Sequence, residues 1–306
     1  MVGLLRFIKI VFRSFTQRKR MKPAVIIGRG RIGSLFNIKT AFTGWRWILN
    51  FFFKRDVVLG RHDFIPESYT GPIFCCVRAD VIATRINACP QSKREDLIFM
   101  QNGHIAPILE RTGVLSSCTR AVLYIGVPAV HELPTDGVTD KDPQGLTVVF
   151  GKWAQQVKNR LSYHNLSCNI VDSEHFEKSY YEKITWLSTF NLIGMYYGGL
   201  LMSMVANDKA DEAKKMMHEL FGVVQQRTSI SFDVKDSVER LLSYSRTLTT
   251  FPTSFSEYES RNAFFYEHSK RIMARGETEP SPTHSFYLQA LFQQQHLKKP
   301  IPPANL

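Results

Sequence analysis

The feature that most constrains this chain is a glycine-rich turn that directly follows a short apolar run. Residues 24 to 36 read Ala-Val-Ile-Ile-Gly-Arg-Gly-Arg-Ile-Gly-Ser-Leu-Phe, which contains the Gly-x-Gly-x-x-Gly spacing. In this spacing the first glycine permits a tight turn, the second lets a pyrophosphate approach the backbone, and the third allows close packing of the next helix. The run therefore predicts a dinucleotide-binding turn. The residues expected to contact the cofactor are Gly28, Arg29, Gly30, Arg31, Ile32 and Gly33.

Apolar runs alternate with helical stretches through the first half of the chain. This alternation predicts βαβ units and a mostly parallel sheet. We expect an α/β fold whose N-terminal Rossmann-type domain spans residues 23–171, with a polar loop or hairpin at 131–145. The predicted strands are 24–27, 56–59, 72–77, 97–101, 121–127 and 146–150.

The second half of the chain has helical periodicity and few strand signals. We predict an all-helical C-terminal domain at residues 172–297, which binds substrate and supports dimerisation, followed by a tail at 298–306. The segments with helical periodicity are 180–205, 207–226, 234–248 and 255–275.

Positive charge is concentrated at the start of the chain. The net charge is +12, and no Asp or Glu precedes Asp56. Residues 1–22 form a basic extension that also carries apolar side chains, as organelle targeting segments do, although a basic surface segment is an equal alternative. We therefore expect the protein in the cytoplasm, a mitochondrion or a plastid.

The excess of positive charge fits a nucleic acid, a membrane surface or a phosphorylated small molecule. Because the glycine turn favours the last of these, we expect a small-molecule partner, no nucleic acid, and a monomer or homodimer. No run of about twenty uncharged apolar residues occurs, so stable membrane insertion is not expected. The 5 cysteines lack a Cys-x-x-Cys pair, which argues against a disulfide framework and against a metal site.

The second predicted strand ends in Arg61 instead of the acidic residue typical of sites that prefer NAD. A guanidinium suits a 2′-phosphate, and Arg29 and Arg31 add positive potential, so we predict NADPH instead of NADH. The alternative is that Arg61 is a solvated loop charge. About 28 residues separate Gly33 from Arg61, which requires an insertion that includes residues 45–53.

Two further segments carry polar groups of chemical interest. Asn102 follows a buried strand at the carboxyl end, where ligands bind in α/β sheets, although Asn-Gly is also an ordinary turn sequence. Lys183 and Asn191 lie 8 residues apart on a predicted helix, and hence on one face of it. Since that helix is otherwise apolar, Lys183 should be buried with a lowered pKa, which would suit a general acid; the alternative is a lysine that reaches solvent.

These pieces, in this order, resemble the ketopantoate reductase (2-dehydropantoate 2-reductase) family. The order comprises the glycine turn, a strand that ends in Gln-Asn-Gly, and a helix in which Asn191 follows Lys183 by eight residues. Residues 76–79, Cys-Val-Arg-Ala, look like the family's strand that ends in Val-Lys-Ala. Residues 279–284 look like its Pro-x-Pro-x-Asn motif. The resemblance covers residues 23–297.

The resemblance implies NADPH-dependent reduction of 2-dehydropantoate to pantoate, on the route to coenzyme A. It implies that Lys183 is the catalytic proton donor and that Asn102, Asn191 and Ser254 bind the substrate, with Ser254 receiving its carboxylate. It also implies that Arg78 and Asn102 contact the cofactor.

Several positions depart from the family pattern. Arg78 replaces a lysine, Leu187 replaces a second asparagine on the helix, and His284 replaces the asparagine of the final motif. The family's glutamate falls on Asn262, while the nearby carboxylates of Glu257, Glu259 and Glu267 are out of register. These departures leave two alternatives open, a reductase for a different 2-oxo acid and a non-catalytic NADP-binding protein.

Overall fold

The structure, a computed structural model, describes residues 21–37, 56–60, 63–130 and 132–294. These residues form two compact units. The first unit takes the residues up to 101, together with 106–136 and 144–172. The second takes 102–105, 137–143 and the residues from 173 onward.

The first unit contains a seven-stranded sheet in the order β2-β1-β3-β4-β5-β6-β7. The β5–β6 pair is antiparallel and the other pairs are parallel. The strands are β1 (Val25–Ile27), β2 (Val57–Leu59), β3 (Ile73–Cys75), β4 (Leu97–Phe99), β5 (Thr119–Val122), β6 (Val148–Phe150) and β7 (Asn169–Ile170). The helices of this unit are α1 (Arg31–Phe36), α2 (Ile82–Asn87), α3 (Ala106–Arg111) and α4 (Ala154–Tyr163).

The strand order reverses at β1, which lies between β2 and β3. From β1 the chain goes to β2 on one side of that strand and then returns to β3 on the other side. The carboxyl ends of β1 and β3 therefore form the topological switch point, where α/β sheets bind ligands. Beneath it, Ile26, Phe74 and Ile98 pack with Val157 and Leu161 of α4 in a buried apolar cluster. This core fixes the position of the glycine turn.

A buried ion pair closes the first βαβ unit. Arg160 donates from Nη1 and Nη2 to the two carboxylate oxygens of Asp56, each at 2.8 Å. Arg160 also donates to the carbonyls of Phe36 and Lys22, and Asp56 accepts from the amide of Ala24 at 2.8 Å. The start of β1, the end of α1 and the start of β2 therefore share one hydrogen-bonded centre.

The second unit is helical in the part that the structure describes. Its longest helix, Ser173–Tyr196, is buried on every side from Tyr180 to Gly194. A short 3-10 turn, Tyr258–Ser260, precedes the fifth of the helices. The helices are α5 (Ser173–Tyr196), α6 (Met202–Asp208), α7 (Ala210–Arg227), α8 (Val234–Thr247), α9 (Ala263–Met273) and α10 (Pro282–Gln293).

The predicted fold class, a Rossmann-type domain with a mostly parallel sheet followed by a helical domain, is confirmed. Several element bounds are corrected. The fifth strand is Thr119–Val122 instead of 121–127, and β7 was not predicted. The predicted helix 180–205 is interrupted where Gly198 and Gly199 adopt φ of +89° and +91°, values that favour glycine.

Two further helical bounds differ from expectation. The predicted helix 255–275 begins only at Ala263, and the helix Pro282–Gln293, which starts at a proline suited to the first helical turn, was not predicted. Arg61, the insertion at 45–53, residues 1–20 of the basic extension and the tail at 298–306 lie outside the described residues. Among the described helices, none is long and apolar enough to cross a membrane.

Candidate functional site

The glycine turn closes against the end of the neighbouring strand β3. Gly28 has φ +108°, and a Cβ at this position would lie 2.5 Å from the carbonyl oxygen of Cys76. A Cβ at Gly33 would lie 2.1 Å from the carbonyl oxygen of Gly28. Both contacts are with backbone atoms, so these two positions require glycine. This agrees with the roles expected for the first and third glycines.

The second glycine faces space that the described residues leave open. A Cβ at Gly30 would meet no atom of the described residues within 4 Å, and Gly30 is the N-cap of α1 without a side-chain cap from that part of the chain. The first turn of α1 carries no acidic side chain. A helix start without a side-chain cap suits a phosphate group, because the first N–H groups of a helix and the helix dipole both favour an anion.

The arginines of the turn differ in their surroundings. Arg29 is exposed, whereas Arg31 donates from Nη1 to the carbonyl oxygens of Val127 at 3.1 Å and Pro128 at 3.4 Å. Arg31 is therefore held partly by the backbone of the loop after β5. It still places a positive charge at the carboxyl end of the sheet.

Gln101 fixes the strand ends at the switch point. Its Nε2 donates to the carbonyl oxygens of Cys75 at 2.5 Å and Val77 at 3.1 Å, which ties the end of β4 to the end of β3. Beyond Val77, the exposed Arg78 lies 3.3 Å from Asp80. Arg78 thus lies just after the carboxyl end of β3, at the position where the resembled family often has a lysine.

The turn that carries Asn102 is anchored on both sides within the helical unit. Gly103 has φ +98°, and a Cβ there would lie 2.4 Å from the carbonyl oxygen of Ser260. The amide of His104 donates to that same carbonyl, and the amide of Ile105 donates to Tyr180 Oη at 2.7 Å. Asn102 itself is exposed. Its carboxamide is therefore presented on a fixed turn.

Lys183 is buried in the middle of α5, as expected, with only 7% of its surface exposed. Its Nζ lies 4.4 Å from the ring centroid of Trp186 and 5.9 Å from that of Tyr244. Burial, and then the positive charge of Arg261, lower the pKa of Lys183 to about 7. A lysine with a pKa near neutrality can release and regain a proton at physiological pH, as a general acid must.

Arg261 was not anticipated from the sequence. Its Nη2 donates to Glu257 Oε2 at 2.6 Å, and both side chains are largely buried. Glu257 has φ +56°, a left-handed conformation that is uncommon for a residue with a Cβ. Glu257 is one of the out-of-register carboxylates. The structure gives it a role toward Arg261, whose charge in turn acts on Lys183. A cation four residues after a glutamate was the available sequence signal.

Asn191 and Ser254 are brought together. Asn191 Oδ1 accepts from the amide of Ser254 at 2.8 Å, and its Nδ2 donates to the carbonyl of Leu187 at 2.8 Å. Thr253 donates to the carbonyl of Leu200 from both its amide and its hydroxyl, which holds this segment against the end of α5. The side chain of Ser254 stays exposed. Asn191 thus positions the backbone of Ser254.

Glu182, next to Lys183 in sequence, belongs to a separate buried network. It accepts from Ser237 at 2.7 Å and from Arg240 at 2.5 Å. Burial raises the pKa of Glu182 in spite of these two donors. The network joins α5 to α8 and so fixes the rotation of the helix that carries Lys183.

The chain is similar to proteins of known structure. No protein-family model and no curated protein matches the chain. A D-mandelate dehydrogenase solved with NADH and anilino(oxo)acetate is 13% identical with a TM-score of 0.60, over 90% of this chain and 98% of that one. A 2-dehydropantoate 2-reductase from Methylococcus capsulatus is 14% identical with a TM-score of 0.58, over 91% and 99%.

A dimeric ketopantoate reductase from Staphylococcus aureus is also similar. It is 14% identical with a TM-score of 0.55, and the match covers 89% of this chain and 99% of that one. The chain therefore has the ketopantoate reductase fold. The resemblance read from the motifs is confirmed for the fold, at an identity that fits a divergent sequence.

Proposed function

We propose that this protein is an NADPH-dependent reductase of a 2-oxo acid. The observation that carries the proposal is Lys183, a lysine buried in α5 whose pKa is lowered to about 7. Burying an amine costs free energy, and perturbed pKa values cluster at functional sites, so a buried lysine of this kind is a candidate for a catalytic group. The fold supports the same reaction class, since similar structures are named as 2-dehydropantoate 2-reductases and a D-mandelate dehydrogenase.

NADPH, when bound, supplies the hydride that reduces the ketone carbon. Lys183 then protonates the developing alkoxide from its ammonium. Asn102 and Asn191 orient the substrate, and Ser254 receives the substrate carboxylate through its exposed hydroxyl. The Asn191–Ser254 hydrogen bond supports this role for Ser254, because it fixes the backbone that carries the hydroxyl.

The glycine turn is the proposed cofactor-binding site. The open space at Gly30 and the uncapped start of α1 fit a pyrophosphate. Arg61 is proposed to bind the 2′-phosphate that distinguishes NADPH from NADH, and Arg78 to support it. Replacing Arg61 by Ser should therefore raise the Kd for NADPH while leaving the Kd for NADH unchanged. Equal effects on both cofactors would remove the basis for the NADPH preference.

The substrate proposed first is 2-dehydropantoate. Leu187 is buried where the resembled family has an asparagine, which removes one polar group from the helix that carries Lys183. A second candidate is therefore a 2-oxo acid with an apolar tail and no hydroxyl group. Steady-state rates with 2-dehydropantoate, 2-oxoisovalerate and phenylglyoxylate, each with NADPH, separate these substrates by their kcat/KM values.

The deciding experiment follows the absorbance of reduced cofactor with the purified protein and the same panel of acids. Lys183→Met should abolish turnover and leave NADPH binding intact. The matched control is Lys178→Met, on the same helix, because Lys178 is partly exposed and pairs with Glu174. Equal activity in both variants would exclude Lys183 as the proton donor.

A non-catalytic NADP-binding protein is the alternative. It is favoured by Asn262, which stands where the resembled family has a glutamate. This alternative expects tight NADPH binding and no turnover with any acid of the panel. For either function we propose a monomer or homodimer, which analytical ultracentrifugation distinguishes.

A further inference from the structure

The ammonium of Lys183 lies against the face of a tryptophan from its own helix. Lys183 Nζ is 4.4 Å from the ring centroid of Trp186, and Trp186 is 4% exposed. The two residues are three positions apart on α5, the spacing at which helical side chains meet. Trp186 belongs to none of the motifs on which the proposed reductase function is based.

The indole is held in place by a second helix. Its Nε1 donates to Ser245 Oγ at 2.7 Å, and Ser245 Oγ donates to the carbonyl of Leu241 at 2.7 Å. The ring of Tyr244 lies 5.3 Å from that of Trp186 and 5.9 Å from Lys183 Nζ. Buried tryptophan N–H groups need a partner, and here that partner sets the position of the ring.

The chemistry of the aromatic face complements that of the lysine. Burial and the charge of Arg261, which is paired with Glu257, both disfavour the ammonium form of Lys183. A π face stabilises a cation, most strongly when water is excluded. From α8, Tyr244 offers a second ring, while the neighbouring Glu182 is engaged by Arg240 and Ser237.

We propose that Trp186 is a positioning residue for Lys183, which holds the ammonium at one place and stabilises its charged form. The inference rests on the proposed function, because it assigns to Lys183 the task of a proton donor. Ser245 completes the arrangement by fixing the indole. Trp186 acts through Lys183 and is not itself assigned a contact with the substrate.

The first test is an NMR titration of the lysine side chains with ¹³C label at Cε, on the full-length protein. The Lys183 signal is identified by its absence in Lys183→Met. In the wild type, the ring current of Trp186 should shift the Hε signals of Lys183 upfield. In Trp186→Leu this shift should disappear, and the pKa of Lys183 should fall by roughly one unit, a tenfold change in proton affinity.

Two further variants keep the test informative if Trp186→Leu fails to fold. Trp186→Phe keeps an aromatic face and should retain most of the upfield shift. Ser245→Ala keeps the indole and removes its anchor, so it should reduce the shift without abolishing it. The matched control is Phe176→Leu, which removes a buried ring from the same helix that packs against Tyr180, and it should leave the Lys183 titration unchanged.

The kinetic readout is the pH profile of kcat/KM with the best 2-oxo acid. In Trp186→Leu the proton affinity of Lys183 should be roughly tenfold lower, so the alkaline limb should move about one unit to lower pH. The effect should appear in kcat, while KM stays the same. Wild-type Lys183 signals without a ring-current shift, or a Lys183 pKa that is equal in wild type and Trp186→Leu, would overturn the inference. A shifted, Trp186-dependent Lys183 signal without turnover of any 2-oxo acid supports the aromatic contact and refutes the proposed function.

Discussion

His284 Nε2 lies 3.1 Å from Asn262 Oδ1, in a pair of which both members are buried. These are two of the positions at which the chain departs from the resembled family, where a glutamate and an asparagine are expected. Burial lowers the pKa of His284 to about 3, so the ring is neutral and donates from Nε2 to the asparagine oxygen. The two departures are therefore coupled: a neutral hydrogen bond stands where a carboxylate is absent.

The first prediction concerns how His284 makes the free energy of unfolding depend on pH. The pKa of His284 is lowered from 6.5 to about 3, so between these values the unfolded chain binds a proton that the folded chain does not. The contribution of the neutral His284 to the free energy of unfolding is fully present above about pH 6.5. As the pH falls, the free energy of unfolding decreases by up to about 1.4 kcal/mol per pH unit. Urea unfolding at pH 7, 6, 5 and 4 should show this slope.

The comparison variant is His284→Gln, whose amide can donate to Asn262 without titrating. The slope of its unfolding free energy against pH should be smaller by about one proton. His104, with a pKa lowered to about 4, keeps part of the acid sensitivity in this variant. A slope equal to that of the wild type would show that His284 is not protonated on unfolding.

The second prediction concerns the pH range of activity. In the proposed reaction the proton donor is the ammonium form of Lys183, so kcat/KM should be constant at low pH and fall as the pH rises through about 7. Because the charge of Arg261 contributes to that lowered pKa, Arg261→Gln should move the alkaline limb to higher pH. The unpaired Glu257 left behind acts in the same direction.

The control for this prediction is Arg246→Gln, which removes the same charge from an exposed position on α8. Its pH profile should match that of the wild type, because solvent screens exposed charges. Identical alkaline limbs in wild type and Arg261→Gln would show that Arg261 does not act on the proton donor.

Local patterns predicted the elements of this fold better than its long-range contacts. The glycine turn and the burial of Lys183 follow from spacing and periodicity, which a sequence displays directly. The ion pair of Arg160 with Asp56 joins residues 104 positions apart. No local pattern carries such a partner, since it depends on how the strands and α4 assemble.

The candidate site shows the same division. Asn191 could be placed on the same helix face as Lys183, but its hydrogen bond to Ser254 spans 63 positions and depends on the path of the chain after α8. In the sequence, Trp186 is only one of several apolar residues on a buried helix, and its contact with Lys183 is shown by the structure alone. A residue type alone does not reveal that an aromatic face lies against a charge.

The third prediction separates the structural glycines from the one that faces open space. Gly33→Ala places a Cβ 2.1 Å from the carbonyl oxygen of Gly28 and should destabilise the first unit by several kcal/mol. The methyl group of Gly30→Ala meets no atom within 4 Å among the residues that the structure describes, so this variant should change the unfolding free energy by about 0.5 kcal/mol or less. It should nevertheless weaken NADPH binding about tenfold, measured by calorimetry, because its methyl group fills the space proposed for the pyrophosphate. Unchanged affinity in Gly30→Ala would place the cofactor elsewhere.

The last prediction concerns the buried ion pair beneath the glycine turn. Asp56→Ala removes the carboxylate and leaves the guanidinium of Arg160, which is 1% exposed, without its main counter-charge. Breaking a buried pair in this way costs about 3–5 kcal/mol, because the remaining charge stays desolvated. The urea midpoint of the first unit should fall accordingly, with a smaller fall in Asp56→Asn, which keeps one acceptor.

The matched control is Glu95→Ala, because Glu95 pairs with Lys152 on the surface, where a pair contributes about 1 kcal/mol or less. Similar midpoints in Asp56→Ala and Glu95→Ala would show that the buried pair contributes no more than a surface pair, and that the apolar cluster alone holds β1, α1 and β2 together.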